Sequence, residues 1–269
     1  MKDHKWDVVV NWIAFTEKDI IRDFNIFKDK TEQYIFISSA SAYQKPLQDP
    51  IITETTPLEN PFWEYSRNKI ACERKLTELY NQNEFPITIV RPSLTYDTVI
   101  PVAIGGWTEY TIIDRIKKGK KIIVHGDGTS LWTITHAEDF AKGFIGLLGN
   151  KKSIGEAYHI TSDELLTWDQ IYTYVANAVD AEPNIIHIAS DFICSIEKSL
   201  TGTLIGDKSV STIFDNSKIK SLVPDFCASI PFKEGIKETI KWFESDSNRM
   251  VVNPETNKMI DRIISAYER

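Results

Sequence analysis

Tyr34-Ile35-Phe36-Ile37-Ser38 is a short apolar run, rich in β-branched and aromatic side chains and closed by a hydroxyl. Such a run reads as a strand buried on both faces, the pattern of a parallel sheet. Upstream, residues Trp6 to Phe15 (WDVVVNWIAF) form a second run of the same kind. Between the two, Thr16-Glu-Lys-Asp19 has the form of a capping box and opens a helix carrying Ile20, Ile21, Phe24 and Phe27. Downstream, a polar, Pro-containing loop runs from about Gln44 to Pro61. A helix then starts near Phe62 and meets no Gly or Pro until Pro86, and a third strand, Ile87 to Arg91, stops at Pro92. Strand, helix, strand, helix, strand at this spacing makes two βαβ units and predicts a parallel sheet with right-handed crossovers.

Beyond Pro101 the pattern loosens. Helices are predicted over Trp107 to Lys118, Thr135 to about Leu148, Thr167 to about Val179, Pro231 to Phe243 and Pro254 to Tyr267. Two of them open on capping boxes, Thr135-His-Ala-Glu138 and Thr167-Trp-Asp-Gln170. Short strands are predicted at Lys121 to Val124, Ala157 to Ile160 and Asn184 to Ile188, while residues 190–215 are ambiguous, with helix expected before Gly202 and Gly206. The expected fold class from this pattern is α/β, built on a parallel sheet.

The 269 residues suffice for a substantial core, and their apolar and charged fractions are those of an ordinary globular protein. A net charge of −7 argues against a nucleic-acid backbone binder, which carries a basic face. Cys72, Cys194 and Cys227 are widely separated and the five histidines are scattered, so neither a zinc site nor a disulfide framework is expected. No stretch approaches the roughly 20 apolar residues of a membrane span, and the N-terminus does not resemble a signal peptide. A cytoplasmic location is the expectation.

Within the helix that follows the second strand lies Tyr65-Ser66-Arg67-Asn68-Lys69. Helical positions four apart share a face, so the Tyr65 phenol and the Lys69 ammonium point the same way. An adjacent ammonium lowers a phenol's pKa and makes it a usable general base near neutral pH. About one Tyr-x-x-x-Lys is expected by chance in such a composition, so the pair draws its weight from its surroundings. In parallel sheets ligands bind beyond the carboxyl ends of the strands. There lie Trp12-Ile13-Ala14, Ser38-Ser39-Ala40-Ser41 and Arg91-Pro92-Ser93. A cleft shared by Ser39, Tyr65 and Lys69 is the expectation.

Phe36-Ile-Ser-Ser-Ala-Ser-Ala-Tyr43, then Tyr65-x-x-x-Lys69, then Val90-Arg-Pro-Ser93, resembles the extended short-chain dehydrogenase/reductase superfamily, in particular its NAD-dependent epimerase/dehydratase branch. Gly126-Asp-Gly leading to His136-x-x-Asp139, and Asp215-Asn-Ser-Lys218 with Pro231-Phe-Lys-Glu-Gly235, resemble that family's second half. The resemblance implies an α/β fold with a partial doubly wound, parallel Rossmann-type sheet and a smaller C-terminal α+β substrate lobe. Residues 1–100 would be the remnant of a dinucleotide-binding domain, and residues 101–269 mainly a substrate-binding lobe with some strands and helices returning to the main sheet. It also implies an oxidoreductase of sugar or nucleotide-sugar substrates using NAD or NADP. It makes Tyr65 the acid/base, Lys69 the residue that tunes it and holds the nicotinamide ribose, and Ser39, four before Tyr43, the donor to the reacting oxygen. Trp12, Ile13, Ala14, Arg91 and Pro92 would join Tyr65 and Lys69 around the cofactor; Ser41, Ser93 and Trp132 would face the substrate. A homodimer through the helices that start near Thr16 and Tyr65 is implied as well.

Three departures qualify the resemblance. No glycine precedes Gly105, so the family's glycine-rich pyrophosphate turn is absent from these residues. The chain would then begin at the family's fourth strand and bind cofactor poorly, with Val8-Val9-Val10 as a sheet edge that invites pairing or aggregation. Trp132 stands where the family often carries a phosphate-binding Arg, and Tyr96-Asp97-Thr98 replaces its Tyr-Gly-Pro. The alternative is a non-catalytic scaffold or binding protein built on the same fold.

Overall fold

The computed structural model describes residues 4–269. They divide into two units. The first comprises the residues up to Ser93 together with Glu138–Thr161 and Phe214–Ala228. Its four parallel strands are Trp6–Asn11, Thr31–Ile37, Ile87–Pro92 and Ala157–Ile160, side by side in that order. The register pairs Val9 with Tyr34, Phe36 with Ile89, and Val90 with Tyr158.

Alternation along the second strand explains why both faces of this sheet are covered. Tyr34 and Phe36 point to one side, where helices Glu17–Phe27 and Glu64–Asn83 bring Ile20, Cys72, Leu76 and Leu79. Ile35 and Ile37 point to the other, onto Phe140, Leu147, Ile219 and Phe226. A Rossmann-type α/β sheet results. The first strand is its edge, half-buried rather than enclosed as a central strand would be. It is also shorter than its apolar run. The Asn11 side-chain oxygen accepts from the amides of Ile13 (2.8 Å) and Ala14 (2.7 Å) and turns the chain out of the sheet. The following helix starts as its capping box predicts, with the Asp19 carboxylate accepting from the Thr16 amide (3.0 Å) and hydroxyl (2.9 Å). The Tyr65 helix ends where Glu84 takes the left-handed conformation, φ 53°.

The second unit is Leu94–Ala137, Ser162–Ile213 and Ser229–Arg269. Ile112, Ile113, Ile116, Trp168, Ile171, Tyr172, Phe232, Ile236, Ile240 and Phe243 form its largest core, contributed by helices Thr111–Lys117, Trp168–Asn177 and Phe232–Glu244. The Thr167–Gln170 capping box forms in both directions: the Gln170 amide donates to Thr167 Oγ1 at 3.1 Å, and the Thr167 amide to Gln170 Oε1 at 2.9 Å. Two predicted helix starts move. Gly105 and Gly106 adopt φ 142° and 80°, and the Trp107 indole donates to the Val102 carbonyl (3.1 Å), so this stretch closes as a loop and the helix waits until Thr111. Thr135 lies inside a short strand, Ile134–His136, and its hydroxyl accepts from the Ser162 amide (2.8 Å); that helix starts at Ala137. No helix among the described residues is long and apolar enough to cross a membrane.

Candidate active site at the strand ends of the first unit

Lys69 is the buried centre of this region. Its ammonium donates to the carbonyls of Ala14 and Ile37, both at 2.8 Å, and so ties together the ends of the first two strands. The Ala14 carbonyl is in place because Asn11 shapes the turn before it. Asn11 is itself fixed by its amide donating to Asp23, which also accepts from the Tyr34 phenol (2.7 Å) and pairs with Arg22 (3.0 Å). The rings of Phe15, Phe36 and Tyr65 surround the ammonium, with centres 4.7, 4.8 and 5.8 Å away. Burial pulls the Lys69 pKa down to about 8, partly opposed by Cys72, Glu73 and Asp19, so the group remains mostly charged at pH 7.

Tyr65 is half-buried, one helical turn before Lys69, with its ring tilted against Trp63 (centres 5.0 Å apart) and Phe15 (6.4 Å). Trp12, Ile13 and Phe15 are all exposed, Ile13 most of all at 74%. Exposed apolar residues clustered at strand ends are a surface for a ligand with an apolar face.

Ser39 is half-buried at the mouth of the second strand and caps the short 3-10 turn Ala40–Ala42. Its Oγ lies 2.9 Å from Ser41 Oγ and accepts from the Ser41 amide at 3.1 Å. The fully buried Ser66 hydroxyl donates to Ser41 Oγ at 2.8 Å. A continuous line of hydroxyls thus joins Ser39 to the residue that follows Tyr65. Ser66 was not legible as a participant, because nothing local in the sequence marks a helical serine as touching a strand end.

Arg91 turns inward. Its guanidinium is buried against Glu73, with Nη2 to Oε2 at 2.6 Å and Nε to Oε1 at 3.0 Å, and Nη1 donates to the Tyr43 phenol oxygen at 3.1 Å. Burial opposes the charge of Arg91, but the Glu73 carboxylate outweighs it and holds the pKa above the ordinary value. Glu73 also accepts from the Ser38 hydroxyl. His159 completes this buried set. Its Nε2 lies 2.8 Å from the Asp215 carbonyl, which only accepts, so Nε2 carries the proton and Nδ1 accepts the Tyr43 phenol proton at 3.0 Å. Burial lowers the His159 pKa and pushes the Tyr43 phenol up, which fixes both as neutral groups.

Pro92 and Ser93 are half-buried at the end of the third strand. Trp132 belongs to the second unit and is packed in its core, its ring centre 5.5 Å from that of Trp168 and 5.6 Å from the Lys208 ammonium. Among the described residues no group of His, Cys, Asp and Glu is arranged to hold a metal ion.

The profile of the NAD dependent epimerase/dehydratase family matches residues 19–161. Human dTDP-D-glucose 4,6-dehydratase is 23% identical over 268 residues, covering 90% of this chain and 70% of the human protein. The chloroplast stem-loop binding protein of 41 kDa b from Arabidopsis thaliana is 29% identical over 159 residues, 59% of this chain and 39% of that protein. Among solved structures, dTDP-glucose 4,6-dehydratase from Bacillus anthracis in complex with NAD superposes with a TM-score of 0.69 at 19% identity, covering 90% of this chain and 74% of that one. With a parallel Rossmann-type sheet and a family match across more than half its length, the chain belongs to the NAD dependent epimerase/dehydratase family.

Proposed function

We propose that this protein is an NAD(P)-dependent oxidoreductase acting on a hydroxyl or carbonyl of a sugar or nucleotide sugar, with Tyr65, Lys69 and Ser39 at the reacting oxygen. The observation that carries the reading is the Lys69 ammonium, held by two backbone carbonyls beneath the Tyr65 ring. A buried lysine is costly unless it is paired, and here its two hydrogen bonds go to neutral carbonyls, with Cys72, Glu73 and Asp19 offsetting the burial only in part. Its charge then serves a group that becomes anionic, and a phenol giving up its proton is such a group. The nucleotide-sugar name of the human relative and the NAD bound by the Bacillus anthracis enzyme support the substrate and cofactor classes.

The residues fit one end of a nicotinamide dinucleotide and not the other. Lys69 has a third ammonium proton beyond the two given to Ala14 and Ile37, which a ribose hydroxyl placed beside the exposed Trp12 and Ile13 would accept. At the pyrophosphate end, no glycine precedes Gly105, so these residues offer no glycine-rich turn for the backbone to approach the phosphates. Residues 1–269 alone are therefore expected to bind the cofactor weakly. When bound, the nicotinamide supplies the hydride acceptor. The chain's own part is to remove the hydroxyl proton through Tyr65, with Lys69 stabilising the phenolate and Ser39 donating to the same oxygen.

The stem-loop binding relative favours a second reading, a binding protein without turnover, against which the net charge of −7 weighs. Tyr65→Phe separates the two. With nucleotide sugar and saturating NAD, the substitution is expected to lower turnover about 100-fold or more while thermal stability stays close to wild type. Turnover equal to wild type, or tight stem-loop RNA binding without any turnover, would overturn the catalytic reading.

A further inference from the structure

The hydroxyl line has a direction. The Ser66 hydroxyl donates to Ser41 Oγ (2.8 Å), so Ser41 accepts there and must place its own proton elsewhere. Ser41 is buried, and Ser39 Oγ, 2.9 Å away, is a hydroxyl oxygen able to take that proton, although the contact by itself lets either oxygen donate. Ser39 Oγ also accepts from the Ser41 amide at 3.1 Å. A serine oxygen has two lone pairs, and both are then filled. With Ser41 as the donor, the Ser39 proton points away from Ser41, at the half-buried mouth of the second strand.

We infer that Ser66 and Ser41 are positioning residues that lock Ser39 as a one-way hydrogen-bond donor toward the substrate oxygen; this rests on the oxidoreductase reading above. Ser41, which the family resemblance places against substrate, acts behind Ser39 instead. A cap on the turn Ala40–Ala42 needs only the Ser41 amide. It does not require a fully buried helical hydroxyl directed at Ser41, nor Asn60, whose amide holds the Ser41 carbonyl (2.9 Å) while its oxygen accepts from the amides of Phe62 and Trp63 before the Tyr65 helix. The chemical consequence is selectivity of role. A Ser39 that can only donate suits the lone pairs of a ketone or alkoxide oxygen and cannot compete for the substrate's proton. Tyr65 is left as the one group to take it.

The test is a thermal-unfolding cycle on the full chain with Ser39→Ala, Ser66→Ala and the double variant, alongside turnover with nucleotide sugar and NAD. Ser41 hydrogen-bonds both Ser66 and Ser39 and so links them. Removing Ser39 orphans two Ser41 donors, and removing Ser66 frees the Ser41 hydroxyl to turn. The Tm loss of the double variant is expected to fall clearly short of the sum of the single losses. Additive losses would overturn the wiring. If Ser66→Ala does not fold, Ser66→Cys takes its place in the cycle. In turnover, Ser66→Ala is expected to lower kcat about 10-fold with KM within about 2-fold, and Ser66→Thr to recover part of it. A silent Ser66→Ala beside a damaging Ser39→Ala sinks the inference and leaves the oxidoreductase reading standing. A silent Ser39→Ala sinks that reading, and the thermal cycle then decides the wiring alone.

Discussion

Arg91 and Glu73 form a two-pronged ion pair inside the first unit, each side chain almost wholly out of water. The pair joins the third strand to the Tyr65 helix, and through the Ser38 hydroxyl it reaches the end of the second strand. Breaking such a pair leaves a buried charge without a partner. Glu73→Ala is therefore expected to cost about 3–5 kcal/mol in urea denaturation, well above the loss of a surface ion pair. A loss under about 1 kcal/mol would show that water reaches Arg91 freely.

Lys69 predicts a pH dependence of stability whose sign follows from burial. Its pKa falls from the ordinary 10.5 to about 8 in the folded protein. Between those values the unfolded chain binds more protons than the folded one, so stability rises with pH across that window. Below about pH 8 the full penalty of burying the charge applies, on the order of 3 kcal/mol for a shift from 10.5 to about 8. Denaturation midpoints for wild type and Lys69→Met, measured from pH 7 to 10.5, are expected to show the wild type gaining stability relative to the variant as the pH rises. A wild-type profile parallel to that of the variant would refute the assignment.

Gly235 carries a packing prediction within the second unit. A Cβ at this helical position would lie 2.1 Å from the Tyr96 hydroxyl and 3.0 Å from His136 Cδ2, and both of those side chains are buried. Gly235→Ala would gain about 1 kcal/mol of helix propensity but is expected to lose about 1–3 kcal/mol to overpacking. A net destabilisation in urea or thermal melts is the expected outcome; a stabilised variant would mean that Tyr96 moves aside cheaply.

The elements easiest to read were those whose signals are local. Ala157–Ile160 and Pro254–Tyr267 match their predicted bounds because turn residues and helical spacing mark them. The Thr16 and Thr167 capping boxes form for the same reason. Thr135 has an equally good local signal, but its hydroxyl is taken by Ser162, a partner that only the folded chain brings near. Arg91 is the same lesson at the site. Its place at a strand end was legible; that it would turn to Glu73 rather than outward was not, since the two lie on different elements. Ser39, Tyr65 and Lys69 were candidates that helical spacing and the family resemblance could name, whereas Ser66 and the two carbonyls under Lys69 belong to contacts between segments.

The fourth strand, Ala157–Ile160, pairs with the third only after the chain has passed through Leu94–Ala137, which belongs to the other unit. A ribosome therefore delivers Ser39, Tyr65 and Lys69 long before the sheet beneath them is complete. Until Ala157 emerges, Ile87–Pro92 is an open rim with apolar side chains, and His159 is not yet there to accept the Tyr43 phenol. Nascent chains halted short of that point would be sticky and in need of a chaperone, although every residue proposed for the chemistry has already been made.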